Sequence, residues 1–203
     1  MTKTDPSHRS RVLALLREEG LLRPRELTDR GIPRSTLQRL LMAGEVERVA
    51  RGLYALPGHL LSEHQSLLEV SKQVPEGVIC LLSALSYHGI GTQLPHQVWV
   101  AIGSKARIPI VSQVAVRIVR FSPGTLGHGV ERHQIGGVEL RVTSPAKTVA
   151  DCFKYRNKVG LDVAMEALRE GWNDRRFRLP ELWEAARVCR VDKVIRAYVE
   201  GLL

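Results

Sequence analysis

Cysteine is scarce in this chain of 203 residues, and no C-x-x-C pair occurs. An odd and sparse set of cysteines favours reduced thiols in the core over a disulfide framework or a structural zinc site. The seven histidines are scattered, and His59 and His64 stand five residues apart, which is not a spacing that aligns two side chains on a helix. We therefore expect no metal site.

Long apolar runs are also missing. The longest, Val78 to Leu85, is interrupted by Ser83 and is far shorter than the ~18 residues that a membrane span needs. The apolar stretch Val12 to Leu16 is too short for a signal peptide. These two absences predict a cytoplasmic protein that does not interact with membranes.

Acidic residues are absent from residues 77–130, which we call the acid-free tract. Metal-dependent phosphoryl transfer needs carboxylates to hold magnesium, and the Gly103-Ser104 pair is not followed by the paired aspartates of a nucleotidyltransferase. The chain also contains no phosphate-binding P-loop and no G-x-G-x-x-G. We expect neither enzymatic activity nor a cofactor.

Basic residues, by contrast, are in excess. The chain has 30 Lys+Arg against 21 Asp+Glu, a formal net charge of +9. This excess favours a polyanionic partner, while 44% hydrophobic and 25% charged residues are typical of a globular protein. The Pro57-Gly58 pair predicts a boundary between two domains, residues 1–57 and 58–203.

The first 57 residues are typical of a winged helix-turn-helix. Capping residues and glycines predict three short helices, followed by two strands with a tight turn around Arg51-Gly52. The expected helices run from Ser7 to Gly20, Pro24 to Gly31 and Pro33 to Ala43, and the strands from Val46 to Ala50 and Leu53 to Leu56.

The third helix separates apolar from hydrogen-bonding side chains. Leu37, Leu40 and Leu41 cluster on a helical wheel, so we expect them to face the core. Arginine can bind guanine, and glutamine adenine, through paired hydrogen bonds in the major groove. The opposite side and its flanks are therefore predicted to contact DNA, through Arg34, Ser35, Thr36, Gln38 and Arg39.

Other basic residues of this segment extend the predicted interface. We expect Arg48 and Arg51 to contact DNA from the hairpin, and Arg23 and Arg25 to contact phosphates from the start of the second helix. The third helix face and the hairpin tip carry no acidic residue, and this segregation of charge supports the prediction. The alternatives are ordinary surface arginines in contact with water, or a winged helix that binds only protein.

One stretch resembles a known family. The run I-P-R-S-T-L-Q-R-L-L-M-A-G-E-V-E-R-V-A-R-G-L-Y-A-L, from Ile32 to Leu56, resembles the N-terminal domain of AbiEi antitoxins, and T-S-P-A-K-T-V-A-D, from Thr143 to Asp151, resembles a motif of their C-terminal domain. The resemblance implies a winged-helix repressor of its own promoter, which counteracts a nucleotidyltransferase toxin without needing direct contact. We expect a monomer or weak dimer that binds inverted repeats cooperatively.

The rest of the chain predicts an α+β domain with a mainly antiparallel sheet and C-terminal helices. Alternation, the Gly136-Gly137 pair and helix signals predict strands near 78–82, 97–102, 113–119, 130–134 and 138–142, and helices near 61–74, 83–88, 161–171, 179–188 and 191–202. Ser144 is expected to cap a further helix that starts at Pro145. On that helix, Lys147 and Asp151 predict an i,i+4 salt bridge worth only ~0.2–0.5 kcal/mol.

The acid-free tract predicts a second surface for phosphates. Lys105 and Arg107 occupy a loop bounded by Gly103 and Pro109, and strand alternation allows Arg117 or Arg120, but not both, to join them. The alternative to a DNA-binding repressor is an interaction module, or a DNA-targeted accessory whose C-terminal domain has an unrecognised enzymatic activity.

Overall fold

The computed structural model describes residues 8–50, 52–57, 64–135 and 137–201. The chain divides into two compact units of unequal size. The first unit comprises Met1–Pro75, Val111–Val114 and His133–Leu140, and the second comprises Glu76–Ile110, Ala115–Arg132 and Arg141–Leu203. Ser7, Arg51 and Gly58, on which parts of the sequence predictions depend, lie outside the described residues.

The N-terminal elements form the winged helix-turn-helix that the sequence predicts. They are α1 (His8–Glu19), β1 (Leu21–Leu22), α2 (Pro24–Asp29), α3 (Arg34–Met42), β2 (Glu47–Ala50) and β3 (Leu53–Ala55), followed by α4 (Gln65–Gln73). The three strands pair antiparallel in the order β1-β3-β2. The strand β1 lies between two helices, at a position where no strand was predicted.

A small apolar core holds this unit together. Val12 and Leu16 of α1, Leu27 of α2, and Leu37 and Leu40 of α3 are buried in one cluster. Helix ends fall where glycines can adopt positive φ angles, at +74° for Gly20 after α1 and +71° for Gly31 before α3. Gly31 thus forms part of the turn between α2 and α3.

The remaining elements confirm the α+β class. They are β4 (Val78–Ile79), α5 (Leu81–His88), β5 (Val98–Gly103), β6 (Val116–Phe121), α6 (Pro123–Gly127), β7 (Val130–Ile135), β8 (Val138–Thr143), α7 (Pro145–Lys154), α8 (Arg156–Val159), α9 (Leu161–Asn173), α10 (Leu179–Cys189) and α11 (Asp192–Val199). The five strands form one sheet in the order β6-β5-β4-β8-β7. Its pairing is mixed, because β5–β6 and β4–β8 run parallel while β4–β5 runs antiparallel.

Helix α7 is the central helix of the larger unit. Every side chain from Ala146 to Phe153 on this helix is buried, so α7 has no solvent-facing side over those residues. It packs against α5, α9 and α10. The three cysteines are free and buried, as the sequence predicted, and burial raises the pKa of the Cys80, Cys152 and Cys189 thiols.

Candidate nucleic-acid interface

Helix α3 presents a continuous exposed face. Arg34, Ser35, Gln38 and Arg39 are all exposed on it, and the side chain of Met42 at its end is 89% exposed. The turn before α3 is closed by the backbone N–H of residue 32, which donates to the carbonyl of residue 27 at 2.9 Å. The helix thus combines a fixed position with side chains that can hydrogen-bond to base edges.

The buried face of α3 is rotated from the one expected. Thr36 is only 2% exposed and lies with Leu37 and Leu40 against the core, whereas Leu41 is half-buried. A buried hydroxyl cannot contact DNA, so the expected role of Thr36 is wrong. The helical wheel placed Leu41 in the core because its side chain is apolar. In the structure, α3 instead buries the side that carries Thr36, Leu37 and Leu40.

Arg25 of α2 and Arg34 of α3, two of the arginines predicted to contact DNA, are both exposed. Arg25 is exposed, and its Nε lies 3.9 Å from Asp29 Oδ2 in an ion pair that is open to solvent. Arg34 donates from Nε to the hydroxyl of Thr28 at 3.3 Å, which links α3 to α2. No sequence pattern predicted the contact with Thr28.

Arg23 is less available than Arg25. It is half-buried at the start of α2, where its backbone N–H donates to Glu26 Oε2 at 2.8 Å. The pKa of its guanidinium is lowered, because the effect of burial exceeds the opposing effect of the Glu26 carboxylate. Glu26 Oε1 also forms an ion pair with Nζ of Lys72 in α4, at a distance of 2.9 Å. The side chain of Arg23 is therefore less accessible to DNA than that of Arg25.

The β2–β3 hairpin forms the wing. Arg48 is exposed on β2, opposite Tyr54 of β3. Gly52, in the turn, has a φ of +71°, a conformation that favours glycine. Arg51 lies outside the described residues, so its place at the tip stays a prediction.

A second basic surface lies in the crossover loop, which we define as residues 104–115 between β5 and β6. Lys105 and Arg107 are exposed there. Nη1 of Arg120 donates to three carbonyl oxygens at the base of the loop, those of Gly103 at 3.2 Å, Ser104 at 2.8 Å and Ala106 at 2.9 Å. The loop segment that carries Lys105 is therefore tied to β6.

The two arginines of β6 have different surroundings. Arg117 stacks over the ring of Trp99, with its guanidinium carbon 4.5 Å from the ring centroid. Arg120, three residues further along the strand, holds the crossover loop instead, and the hydroxyl of Tyr155 donates to its carbonyl at 2.8 Å. Burial raises the pKa of Tyr155 to about 12, so this hydroxyl keeps its proton. Arg120 thus acts as a structural support for the loop.

Residues that resemble catalytic groups have structural roles. Ser144 Oγ accepts from the Lys147 backbone N–H at 3.4 Å, which makes it a helix cap. His88 Nε2 lies 2.7 Å from the carbonyl oxygen of Thr143. Lys147 and Asp151 are paired at 0% exposure, out of reach of any substrate.

Two kinds of feature are absent from the part of the chain that the structure describes. No cluster of three or more histidine, cysteine or acidic side chains is arranged to hold a metal ion. No helix found there has both the length and the apolar character that crossing a membrane requires.

Comparison with known proteins identifies the N-terminal segment. Residues 10–57 match the family described as "Transcriptional regulator, AbiEi antitoxin", which confirms the resemblance over that segment. The match supports the role of a DNA-binding regulator. No curated protein matches the chain.

A solved structure shares the fold. The crystal structure of RV2827C protein from Mycobacterium tuberculosis aligns with a TM-score of 0.58 at 15% sequence identity, covering 98% of this chain and 83% of that one. At this identity, the likeness concerns the fold alone.

Proposed function

We propose that this protein is a repressor that binds the promoter of its own gene and acts as the antitoxin of a nucleotidyltransferase toxin. The observation that carries the DNA-binding part is the exposed face of α3, where Ser35, Gln38 and Arg39 stand together on the second helix of a helix-turn-helix. The family match over residues 10–57 supports a regulatory role.

The proposed interface combines base reading with phosphate contacts. Gln38 and Arg39 would reach base edges in the major groove, while Arg25 and Arg34 contact phosphates beside them. Arg48 and Arg51, on the wing, would contact the backbone or the minor groove. Arg23 would contribute less than Arg25, because it is half-buried.

We expect Gln38→Ala or Arg39→Ala to weaken binding to the upstream DNA by about 1–3 kcal/mol and to relax the preference for particular bases. Fluorescence anisotropy with the upstream fragment and base-substituted versions measures both effects. Arg17→Ala removes the same charge as Arg39→Ala from an exposed position on α1, and it should keep the parent's base preference. Equal base preference in the parent and both α3 variants would contradict the proposed reading face.

The antitoxin role predicts a separation of functions. A nucleotidyltransferase encoded next to this gene should arrest growth when expressed alone, and co-expression of the full chain should restore growth. The Gln38→Ala/Arg39→Ala variant, expressed from an unrelated promoter, should restore growth equally well, because neutralisation does not require operator reading. Growth arrest that persists with the parent chain would contradict the antitoxin role and leave a regulator without it.

A further inference from the structure

A cavity lies beside α3, within the winged helix-turn-helix. Its volume is about 490 Å³, which falls in the range of small-molecule sites. Leu40 of α3 and Ala43, which follows the last residue of this helix, supply apolar walls, and Arg39 of α3 lines the cavity together with Arg9 and Glu45. The cavity therefore shares a side chain with the proposed DNA-reading face.

A buried hydroxyl without a hydrogen-bond partner also lines this cavity. Thr36 is 2% exposed, and its Oγ1 has no hydrogen-bond partner among the described residues. A buried polar group normally has a partner, because leaving it unsatisfied is costly. A ligand with a polar atom at the base of the cavity would supply one.

The charge around the cavity favours an anion. Arg9 is already paired, since its Nε and Nη2 lie 3.1 and 2.5 Å from the two carboxylate oxygens of Glu45. The guanidinium of Arg39 forms no hydrogen bond or ion pair within the described part of the chain. A guanidinium binds a carboxylate through two parallel hydrogen bonds. The Arg39 guanidinium is thus available to take a carboxylate, and the exposed side chain of His8 also lines the cavity.

We infer that this cavity binds a small apolar monocarboxylate as an effector. The carboxylate pairs with Arg39 and also accepts a hydrogen bond from the hydroxyl of Thr36, while the apolar body packs on Leu40 and Ala43. This inference goes beyond the proposed function, although its effect on DNA rests on that function. A ligand that holds Arg39 removes it from base contact, so ligand and operator binding oppose each other by the same factor.

Benzoate and hexanoate are suitable probes, with benzyl alcohol as the uncharged control. Titration of the full ¹⁵N-labelled chain, without DNA, should show saturable amide shifts in α3 with both carboxylates and weaker ones with benzyl alcohol. Ala43→Leu fills the cavity from an exposed position and should abolish these shifts. Thr36→Val keeps the shape of the side chain, and it should weaken benzoate binding by about three- to tenfold through the lost hydroxyl.

Operator binding provides the second readout. At constant ionic strength, saturating benzoate should weaken operator binding of the parent chain by at least fivefold and leave Ala43→Leu unaffected. The inference is overturned by the absence of saturable shifts, by shifts that persist in Ala43→Leu, or by operator affinity that ignores bound benzoate. Absence of operator binding without benzoate would instead contradict the proposed function, and the NMR titration would then decide whether the cavity is a binding site.

Discussion

Replacing Asp151 by asparagine is expected to lower the free energy of unfolding by about 3–5 kcal/mol, because it leaves the ammonium of Lys147 buried without its counter-ion. Asp151 Oδ2 accepts from Lys147 Nζ, and Oδ1 accepts from the thiol of Cys189 at 3.2 Å. Both charged side chains are fully buried. Urea unfolding, followed by circular dichroism, measures the change.

The surroundings of the pair explain the size of this effect. The Lys147 ammonium lies 4.8 Å from the centroid of the Phe121 ring, so aromatic surface takes the place of water on one side. Burial raises the pKa of the Asp151 carboxyl even with Lys147 beside it. The cost of removing the carboxylate from water is therefore large, and the pair offsets it only while both members are present.

Two comparisons separate burial from charge. Asp29→Asn removes the acid of an exposed i,i+4 pair with Arg25 and should cost no more than about 0.5 kcal/mol. The double variant Lys147→Met/Asp151→Leu replaces the buried pair by apolar side chains of similar shape, and it should be much closer to the parent in stability than Asp151→Asn. A small loss in Asp151→Asn, equal to that in Asp29→Asn, would contradict the assignment of a buried pair.

The sequence predicted this pair but not its energy. The i,i+4 spacing of Lys147 and Asp151 was sufficient to place them together on α7. The expected value of ~0.2–0.5 kcal/mol is typical of pairs in contact with water, whereas both members of this pair are fully buried. Burial of α7 depends on helices that pack against it from distant parts of the chain, and a local pattern carries no information about them.

The same distinction between local and distant information applies to the fold. Glycine and proline signals located α1, α2 and α3 to within about two residues, because helix ends depend on nearby residues. The strand β1 has only two residues, too few for alternation to show, and it exists because it pairs with β3. Thr36 was misplaced for a related reason, since its burial depends on how α3 packs.

The second phosphate surface also combines a local signal with a distant one. Lys105 and Arg107 were predicted from charge and loop-forming residues, and the structure places both in the exposed crossover loop. Parallel strands such as β5 and β6 are usually joined through a helix, whereas here an irregular segment joins them. Long loops without secondary structure are often functional. The support from Arg120 required the structure, because its three acceptors are backbone carbonyls.

Removing both charges from this loop is expected to weaken binding to operator and to unrelated DNA alike. Each phosphate contact contributes ~0.9 to the slope of log affinity against log salt, so Lys105→Ala/Arg107→Ala should flatten the slope by up to ~2 units. At 0.1 M salt, the loss of two contacts corresponds to about 60-fold in affinity. Anisotropy titrations over a range of salt concentrations measure both quantities.

A matched control distinguishes this contact from a general effect of net charge. Arg187→Ala/Lys193→Ala removes the same charge from exposed positions on α10 and α11, and it should leave the slope within experimental error of the parent's. Base preference should stay unchanged in both double variants, because phosphate contacts do not read sequence. An equal change of slope in the two double variants would show that net charge alone is responsible. Lys105 and Arg107 would then be ordinary surface residues, and DNA recognition would rest on α3 and the wing.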